Sequence, residues 1–406
     1  MRRYWQPVAL SRELPPGGAP LPVRVMGEDL VLFRDDEGKP GLLGLHCAHR
    51  GADLSYGRVE DGGLRCIYHG WLYDRNGRCV EQPGEPAGST FHERIRQTAY
   101  PCQERAGAVF AYLGPGEPPV LPLYDFMNVP DDQVFVAKLF ADCNYLQGHE
   151  GNIDFLHPSF LHYGPRAFPG HVGNSLNGAE KEVLDSRGAA PYKEKIEAHL
   201  VDFGLWLARI RALNDDIHEV CLGSFVMPGF TVVWPGQLNW HVAIDDTHHW
   251  KYTFLFNREK PLDYARHTDR IKQAPAPDYR PIANKGNRYT QDRAAMKHAA
   301  WSGIPMSLFQ VQDLCVWEGA GPIQDRTEEH LVPSDIVIVA SRKLLFSAIK
   351  DVQEGRDPPH IIRDSSKDRV PNIVAALDQQ IPSSQNWKDF CDQLLKEGRN
   401  WETVGA

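Results

Sequence analysis

The chain has 406 residues, 42% hydrophobic and 24% charged, proportions typical of a globular protein long enough for two domains. Its net charge of -9 argues against nucleic acid as the main partner, because phosphate binding requires concentrated Lys and Arg. Since no stretch approaches the roughly 18 apolar residues of a membrane span, and Trp5, Gln6 and Pro7 stand where a secretion signal would need its apolar core, we expect a cytoplasmic protein.

The first third of the chain reads as short strands separated by turns. Residues 22–26, 29–34 and 42–45 have strand patterns, and Asp36-Glu37-Gly38 and Asn76-Gly77 are turn signals. The Pro/Gly-rich stretch 114–119 predicts the end of a small β domain. We therefore predict one domain over residues 1–118 and a second over residues 119–406.

The second domain has a mixed pattern. Residues 141–157 allow a helix, and the alternation in 198–258, for example in 205–213, is typical of antiparallel sheet. Residues 336–340 fit either a buried strand or a helix, and 384–397 predict a C-terminal helix. The expected fold class is α+β.

Six of the eight cysteines are scattered singly and are expected to be small buried hydrophobes. The other two, Cys47 and Cys66, each precede a histidine, in Cys47-Ala-His49 and Cys66-Ile-Tyr-His69, with sixteen residues between the two motifs. Two thiolates and two imidazoles can hold zinc, or a [2Fe-2S] cluster with two Cys on one iron and two His on the other. Each segment supplies one Cys and one His, unlike a zinc finger, which favours the cluster. A zinc site, or unrelated cysteines and histidines, are the alternatives.

A second segment is rich in metal-binding side chains. On a regular helix Glu150, Asp154 and His157 share one face. His162 lies five residues beyond His157, about 140° round such a helix, so an unbroken helix cannot aim both at one atom. We expect Pro158 to disrupt the helix and let His162 turn back. Two imidazoles and one carboxylate are the ligands of mononuclear Fe(II) oxygenases, which leave positions open for O2.

The third iron ligand must be a more distant carboxylate. Asp154 is too close in sequence to His157 and better suits a supporting role, holding that imidazole. Asp313 is the best candidate, because it lies in a mostly apolar run where an unpaired charge is costly. Glu318 is its local rival, and an ordinary salt-bridged carboxylate is the alternative for Asp313.

These motifs resemble those of the Rieske non-haem iron aromatic-ring oxygenases. The first resembles the Rieske [2Fe-2S] signature, but Ala52 and Tyr68 stand where respiratory-chain Rieske proteins carry an extra cysteine pair. The second matches the Asp-x2-His-x4-His iron motif of these oxygenases. The stretch 312–335 resembles the phthalate-dioxygenase-like branch, in which the Asp matching Asp313 binds iron. The resemblance covers about residues 3–350.

The resemblance implies an all-β Rieske domain packed on a helix-grip catalytic domain with a large antiparallel sheet. It implies a homotrimer that works with an NADH-dependent reductase, with or without a ferredoxin. It also implies that Asp154 bridges to a cluster histidine of the neighbouring subunit, His69 or, less favoured, His49. The implied cluster ligands are Cys47, His49, Cys66 and His69, and the implied iron ligands are His157, His162 and Asp313.

The expected function is that of a terminal oxygenase. The chain has no Gly-x-Gly-x-x-Gly motif after a strand, so NADH-derived electrons must arrive from a partner protein. We expect hydroxylation or oxidative dealkylation of a small aromatic compound, with cis-dihydroxylation of an aromatic carboxylate as the alternative. Outside enzymes, a Rieske electron carrier should be much shorter, and a zinc-binding module should be colourless and redox-silent.

The substrate is the least determined feature of the sequence. Arg209 and Arg211 project from one face of a predicted strand, together with Leu205 and Leu207. They are candidates for reading a substrate carboxylate. A solvated or salt-bridged strand face is the alternative.

Overall fold

The computed structural model describes residues 1–162, 194–297 and 300–403. Up to residue 112 the described structure is built almost entirely from short strands. These strands are β1 (Trp5–Leu10), β2 (Leu21–Val25), β3 (Glu28–Arg34), β4 (Pro40–Gly44), β5 (Arg58–Glu60), β6 (Gly63–Arg65), β7 (Leu72–Asp74), β8 (Cys79–Glu81), β9 (Ala99–Tyr100), β10 (Cys102–Arg105) and β11 (Ala108–Tyr112).

The eleven strands form three small antiparallel sheets, in the orders β1-β11-β10, β2-β3-β4-β9 and β5-β6-β7-β8. The predicted turns are present, and Gly38 and Gly77 adopt φ values of 79° and 78°, which side chains other than glycine rarely accept. The three predicted strands lie within one or two residues of β2, β3 and β4. The predicted domain boundary at residue 118 falls in the connection between β11 and the next strand.

The rest of the described chain contains nine strands and five α-helices. The strands are β12 (Val134–Ala141), β13 (Glu194–Val201), β14 (Gly204–Ala212), β15 (Ile217–Val226), β16 (Phe230–Trp234), β17 (Gln237–Ala243), β18 (His249–Phe256), β19 (Ala375–Pro382) and β20 (Trp401–Thr403). The helices are α1 (Tyr145–Ile153), α2 (Tyr264–Gln273), α3 (Phe309–Gly319), α4 (Ile336–Gln353) and α5 (Trp387–Lys396).

The nine strands form one large sheet in the order β12-β18-β17-β16-β15-β14-β13, with β19 pairing to β15 and β20 to β19. All pairs are antiparallel except β19-β20. The predicted antiparallel sheet and C-terminal helix are therefore confirmed. The ambiguous run 336–340 is the start of α4, whose first four residues alone could not distinguish a helix from a strand.

The two faces of the large sheet pack against different partners. Leu238, Trp240 and Phe254 point into the main core, which they share with Trp5 and Phe110 of the N-terminal sheets. The rings of Phe110 and Trp240 are 5.6 Å apart. The opposite face is covered by helices, with α1 lying against β16 and β17 and α4 against β13 and β14. None of the helices in the described part of the chain is long and apolar enough to cross a membrane.

Candidate metal centres

The two Cys-His segments form similar loops, one after β4 and one between β6 and β7. In each loop the cysteine N–H donates to the carbonyl five residues later, and the cysteine carbonyl accepts from the N–H of a glycine four residues later. These bonds measure 2.8 to 2.9 Å, with Ala52 and Trp71 as acceptors and Gly51 and Gly70 as donors. Both glycines have φ of 74°, a conformation that lets the chain turn back so sharply.

The four predicted cluster ligands converge between these loops. The rings of His49 and His69 are 4.5 Å apart, and Cys47 and Cys66 are both buried. The buried Nδ1 of His49 has no hydrogen-bond partner in the described structure, a costly state unless a metal takes it up. Burial raises the pKa of the Cys66 thiol, so forming a thiolate there also requires a cation. The donor set fits a [2Fe-2S] cluster.

Two aromatic side chains support this site and were not anticipated from the sequence. The ring of Trp71 stacks on His49 at 4.3 Å, and the hydroxyl of the buried Tyr73 lies 3.2 Å from Cys47 Sγ. Trp71 closes the second loop, and Tyr73 lies two residues later on β7. Their proximity to a ligand pair is the one signal that could have identified them.

The edge of this site opens at the protein surface beside His69. Ile67 and Tyr68 are exposed, at 60% and 56%. The guanidinium of Arg50 lies 5.4 Å from the centre of the Tyr68 ring. An apolar, positively charged rim therefore surrounds the accessible histidine.

The helix that precedes the second site ends earlier than predicted. Helix α1 stops at Ile153, and Asp154 is already extended, with φ of -74° and ψ of 117°. The carboxylate of Asp154 accepts a 2.7 Å hydrogen bond from Leu156 N–H, and such side-chain bonds to the backbone compete with helix. The prediction that Asp154 and His157 share a helix face with Glu150 is therefore wrong.

The five-residue spacing of the two histidines has a different basis from the one expected. Residues Pro158–His162 form a π-helical turn, in which residue i pairs with i+5. The chain has already left the α-helix at Asp154, so Pro158 starts a new turn and does not break an existing one. The π-helical turn brings the rings of His157 and His162 to 5.1 Å between centroids.

Asp313, on α3, completes a compact group with these histidines. Its Oδ1 lies 3.1 Å from His162 Nε2 and 3.5 Å from His157 Nε2. One ligand atom from each residue lies within 4.8 Å of the others, and Asp313 is buried. The rival carboxylate Glu318 instead accepts hydrogen bonds from Asp142 N–H and the Tyr289 hydroxyl, at 3.0 and 2.6 Å.

The hydrogen bonds of the two rings determine which atoms face Asp313. His157 Nδ1 lies 2.9 Å from the carbonyl of Asp154, and His162 Nδ1 lies 2.7 Å from Gln312 Oε1. Because both oxygens can only accept, each Nδ1 carries the proton and each Nε2 presents a lone pair. Two lone pairs and a carboxylate oxygen then point at one another, which a bound cation stabilises. Where protons instead of a cation occupy the two Nε2 atoms, burial still raises the pKa of Asp313, but the hydrogen bonds donated by His157 and His162 outweigh this and hold it below its usual range.

The remaining carboxylate of the segment, Glu150, is occupied elsewhere. It is buried and forms a two-oxygen ion pair with Arg342 of α4, at 2.6 and 2.8 Å. Arg342 also pairs with Glu329 at 2.6 Å. Glu150 thus ties α1 to α4 and is not directed at the three-residue group.

Arg209 and Arg211 lie on β14, both buried. Arg211 forms an ion pair with Glu219 on the neighbouring strand, at 2.8 and 2.9 Å. Arg209 Nη2 lies 3.0 Å from Cys221 Sγ and 4.0 Å from Asp378. Their face is therefore largely salt-bridged and buried, not solvated.

A surface cleft of about 290 Å³ leads to the histidine group, and Asp154 and His157 line it. Apolar side chains at this cleft are exposed. They are Val316 and Leu331, which line it. The cleft and the rim beside His69 are thus two partly apolar surfaces, each next to one metal centre.

Two family models match nearly the whole chain. The model for the Rieske [2Fe-2S] domain covers residues 4–99, and the model described as LigXa C-terminal domain like covers residues 111–403. The match thus runs beyond the region 3–350 expected from the sequence motifs. The chain belongs to the Rieske non-haem iron oxygenases, as an oxygenase subunit with a [2Fe-2S] cluster and a mononuclear iron.

Relatives and solved structures agree with this assignment. The oxygenase subunit of phthalate 4,5-dioxygenase from Pseudomonas putida is 33% identical, over 96% of this chain and 90% of the relative. The oxygenase subunit of 5,5'-dehydrodivanillate O-demethylase from Sphingobium sp. (strain NBRC 103272 / SYK-6) is 31% identical, over 90% and 79%. These relatives are oxidoreductases that act as a dioxygenase and as a demethylating oxygenase.

The structural neighbours share the fold. NdmB from Pseudomonas putida CBB5 has a TM-score of 0.58 and 22% identity, over 94% of this chain and 97% of NdmB. The oxygenase in the oxygenase–ferredoxin complex of carbazole 1,9a-dioxygenase has a TM-score of 0.53 and 22% identity, over 84% and 88%. Oxygenases of this class take electrons from a protein partner and use O2 to oxidise an organic substrate.

Proposed function

We propose that this chain hydroxylates or oxidatively dealkylates a small aromatic compound. The observation that carries this proposal is the convergence of two imidazole lone pairs and one buried carboxylate behind a surface cleft. The relatives support either a demethylating or a dihydroxylating reaction, and cis-dihydroxylation of an aromatic carboxylate is the second candidate. The phthalate 4,5-dioxygenase relative favours that second candidate.

We assign the ligands of both centres from the donor sets described above. The cluster ligands are Cys47, His49, Cys66 and His69, and the iron ligands are His157, His162 and Asp313. The cluster supplies electrons one at a time and the iron activates O2. The chain itself orients the ligands, through Asp154 and Gln312 behind the two imidazoles, and keeps Asp313 buried and ionised.

We propose that electrons cross between subunits of a homotrimer. His69 lies at an exposed apolar rim, and Asp154 lies in a cleft with exposed apolar neighbours. Exposed apolar patches of this kind mark interaction surfaces. In this arrangement the Asp154 carboxylate, 3.7 Å from His157 Nδ1, accepts a hydrogen bond from a cluster histidine of the next subunit, His69 in preference to His49.

The proposed electron source is NADH, through a separate reductase with or without a ferredoxin. Two observations support a protein donor. The chain lacks a Gly-x-Gly-x-x-Gly motif after a strand, and a structural neighbour is known in complex with a ferredoxin. We expect no oxidation of NADH by the purified chain alone, and rapid O2 consumption once a suitable reductase is added.

Of the two arginines, Arg209 is the better candidate for contact with a substrate carboxylate. Arg211 already has two carboxylate contacts with Glu219, whereas the nearest carboxylates of Arg209 are 3.9 to 4.0 Å away. Arg209→Met should raise KM for an aromatic acid and leave KM for a neutral methoxyarene unchanged. An equal change in KM for both substrates would show that Arg209 does not bind the substrate carboxylate.

Metal analysis and product analysis together test the proposal. Anaerobically purified protein should hold about three irons and two acid-labile sulfides per chain. Stoichiometric zinc without sulfide would contradict the assignment. A panel of aromatic acids, methoxyarenes and N-alkyl anilides should give hydroxylated or dealkylated products. A cis-diol as the main product would establish the second candidate reaction.

A further inference from the structure

The face of the large sheet that turns toward α1 is polar although it is buried. On β17 and β18, every second side chain belongs to the main apolar core, and the alternate ones do not. Five of the alternate residues are polar and buried, namely Asn239, His241, His249, Lys251 and Thr253. Buried polar groups are costly unless they are hydrogen-bonded, so this face requires partners.

Six residues form one continuous chain of hydrogen bonds across this face. It runs from the hydroxyl of Thr253 through Asn239, Asn152, His241 and His249 to the backbone carbonyl of Cys143, with links of 2.9, 2.6, 2.9, 3.0 and 2.8 Å. The chain connects strands β17 and β18 to helix α1. It lies outside the two metal centres.

The direction of every hydrogen bond follows from the last acceptor in the series, the carbonyl of Cys143. The Cys143 carbonyl can only accept, so His249 donates from Nδ1 and accepts at Nε2. His241 must then donate from Nδ1 and accept at Nε2, and the N–H donor to it is the amide of Asn152. The second N–H of Asn152 donates to the carbonyl of Gly148 at 2.7 Å. Asn152 therefore uses both its N–H groups.

Both histidines in the chain must be neutral. A second proton on either ring would place two N–H groups face to face. Burial lowers the pKa of His249 to about 4 and lowers that of His241 as well. The groups that face His241 are His149 on α1, His249 and Lys251 on β18, and Trp317 on α3.

The hydrogen-bond chain fixes α1 to the sheet at both ends of the helix. Cys143 lies just before the first turn, and Asn152 lies in the last turn. Gly148 lets the helix lie this close to the sheet, because a Cβ there would stand 2.7 Å from His241. Gly151 lets it lie close to α3, because a Cβ there would stand 2.0 Å from Trp317 Nε1. Asp154, whose carbonyl orients His157, follows Asn152 by two residues.

We propose that Asn152 and His241 are positioning residues for the mononuclear iron. The hydrogen-bond chain holds the end of α1, and thereby Asp154 and His157, in a fixed position relative to Asp313. This inference rests on the iron site assigned under the proposed function. Without the chain, α1 would still pack on the sheet, but its last turn would shift and the iron ligands would lose their alignment.

The variant Asn152→Asp tests the proposal, because it keeps the size and the Oδ1 acceptor and replaces both N–H donors by an oxygen. At about pH 8 a ferrous chelator should remove the mononuclear iron at least about tenfold faster than from wild type. The EPR signal of the ferrous protein with nitric oxide should change, and the visible spectrum of the cluster should not. Below neutral pH, protonation of His241 supplies a new donor, so the ratio of variant to wild-type rates should fall toward one.

Two further variants serve as control and as second test. His149→Met removes a buried imidazole from α1 that makes no hydrogen bond in the described structure, and it should release iron at the wild-type rate. Thr253→Val removes only the first hydrogen bond of the series. It should also accelerate iron release, but by less than Asn152→Asp does. It replaces the first test if Asn152→Asp does not fold. If either tested variant behaves like His149→Met, the positioning role is refuted.

His157→Ala separates a failure of this inference from a failure of the proposed function. Loss of one iron from His157→Ala, together with unchanged release from Asn152→Asp, would overturn the positioning role alone. Full iron content in His157→Ala would overturn the iron site, and the positioning role with it.

Discussion

His162 Nδ1 donates to Gln312 Oε1 across 2.7 Å, joining two residues that are 150 positions apart in the chain. The same amide donates from Nε2 to the carbonyl of Ile304 at 2.5 Å. Because both ends of the amide are engaged, Gln312 cannot rotate without losing one of the bonds. It therefore fixes the ring of His162 in the orientation that presents Nε2 to Asp313.

Replacing Gln312 by Met should weaken iron binding. The His162 ring would lose the hydrogen bond at Nδ1, and such losses typically cost about 10- to 100-fold in metal affinity. Iron affinity is measured by chelator competition, with the cluster spectrum as internal reference. Gln147→Met is the matched control, because Gln147 is also buried and makes two amide hydrogen bonds, to the carbonyls of Trp317 and Gly321. Equal iron affinity in the two variants would refute the role of Gln312.

The variant Asp154→Asn should nearly abolish turnover while both metal centres stay bound. The amide can still accept from Leu156 N–H, but it removes the charge that we assign to the bridge between subunits. Stopped-flow spectroscopy of the reduced protein with O2 and substrate measures the effect as slow reoxidation of the cluster. The control Asp325→Asn alters a carboxylate with the same local bond, to the N–H of Thr327. Reoxidation of the Asp154 variant at the wild-type rate would mean that Asp154 is not the bridge.

A charge at the rim beside His69 should dissociate the proposed trimer. The Ile67 side chain is 60% exposed in the single chain, and we expect it to be buried in the trimer. Ile67→Glu would therefore bury an unpaired carboxylate in the interface, which is costly. Size-exclusion chromatography with light scattering should report a monomer that retains both metals and has little activity. Ile282→Glu, at a residue 63% exposed on the catalytic domain, is the control and should leave the trimer intact. A trimeric Ile67 variant would exclude this rim from the interface.

Stability should fall as the pH drops below about 6.5, partly because of buried histidines. Burial lowers the pKa of His360 to about 4, so below its ordinary value the unfolded chain binds a proton that the folded chain does not. Folding stability from His360 is therefore complete above pH 6.5 and decreases toward pH 4. Asn is chosen as the replacement because it tolerates the φ of 66° at this position. Between about pH 7 and 5 the free energy of unfolding of His360→Asn should fall by about 2 kcal/mol less than that of wild type. The free energy of unfolding is measured by urea unfolding at several pH values. The same decrease with pH in both proteins would contradict this prediction.

The cluster loops were predictable because their information is local. Cys47, His49, Cys66 and His69 lie in two short loops flanked by turn residues, so spacing alone brings the ligands together. The sequence pattern only weakly favoured Asp313 over Glu318 as the iron ligand, since both lie on α3. The difference between them arises from the side chains that each carboxylate contacts in the tertiary structure.

Other features could not be derived from spacing. The end of α1 at Ile153 depends on the competition between the Asp154 side chain and the helix, and the π-helical turn has no pattern distinct from an α-helix. His241 and His249 belong to no motif in the sequence, and only the pairing of β17 with β18 brings them together. The pair Gly148 and Gly151, three residues apart on one helix face, was the available sign that something approaches α1 closely.

The two metal centres differ in how much of the chain must be folded before they can exist. The cluster ligands lie between residues 47 and 69, so this centre requires the closure of one short loop. The iron site joins His162 to Asp313, and therefore cannot form until segments separated by some 150 residues have met. Closing so long a loop is entropically costly and comes late in folding. During synthesis, the ligands of the iron–sulfur centre can thus come together early, whereas the ligands of the iron have to wait for the catalytic domain to be complete.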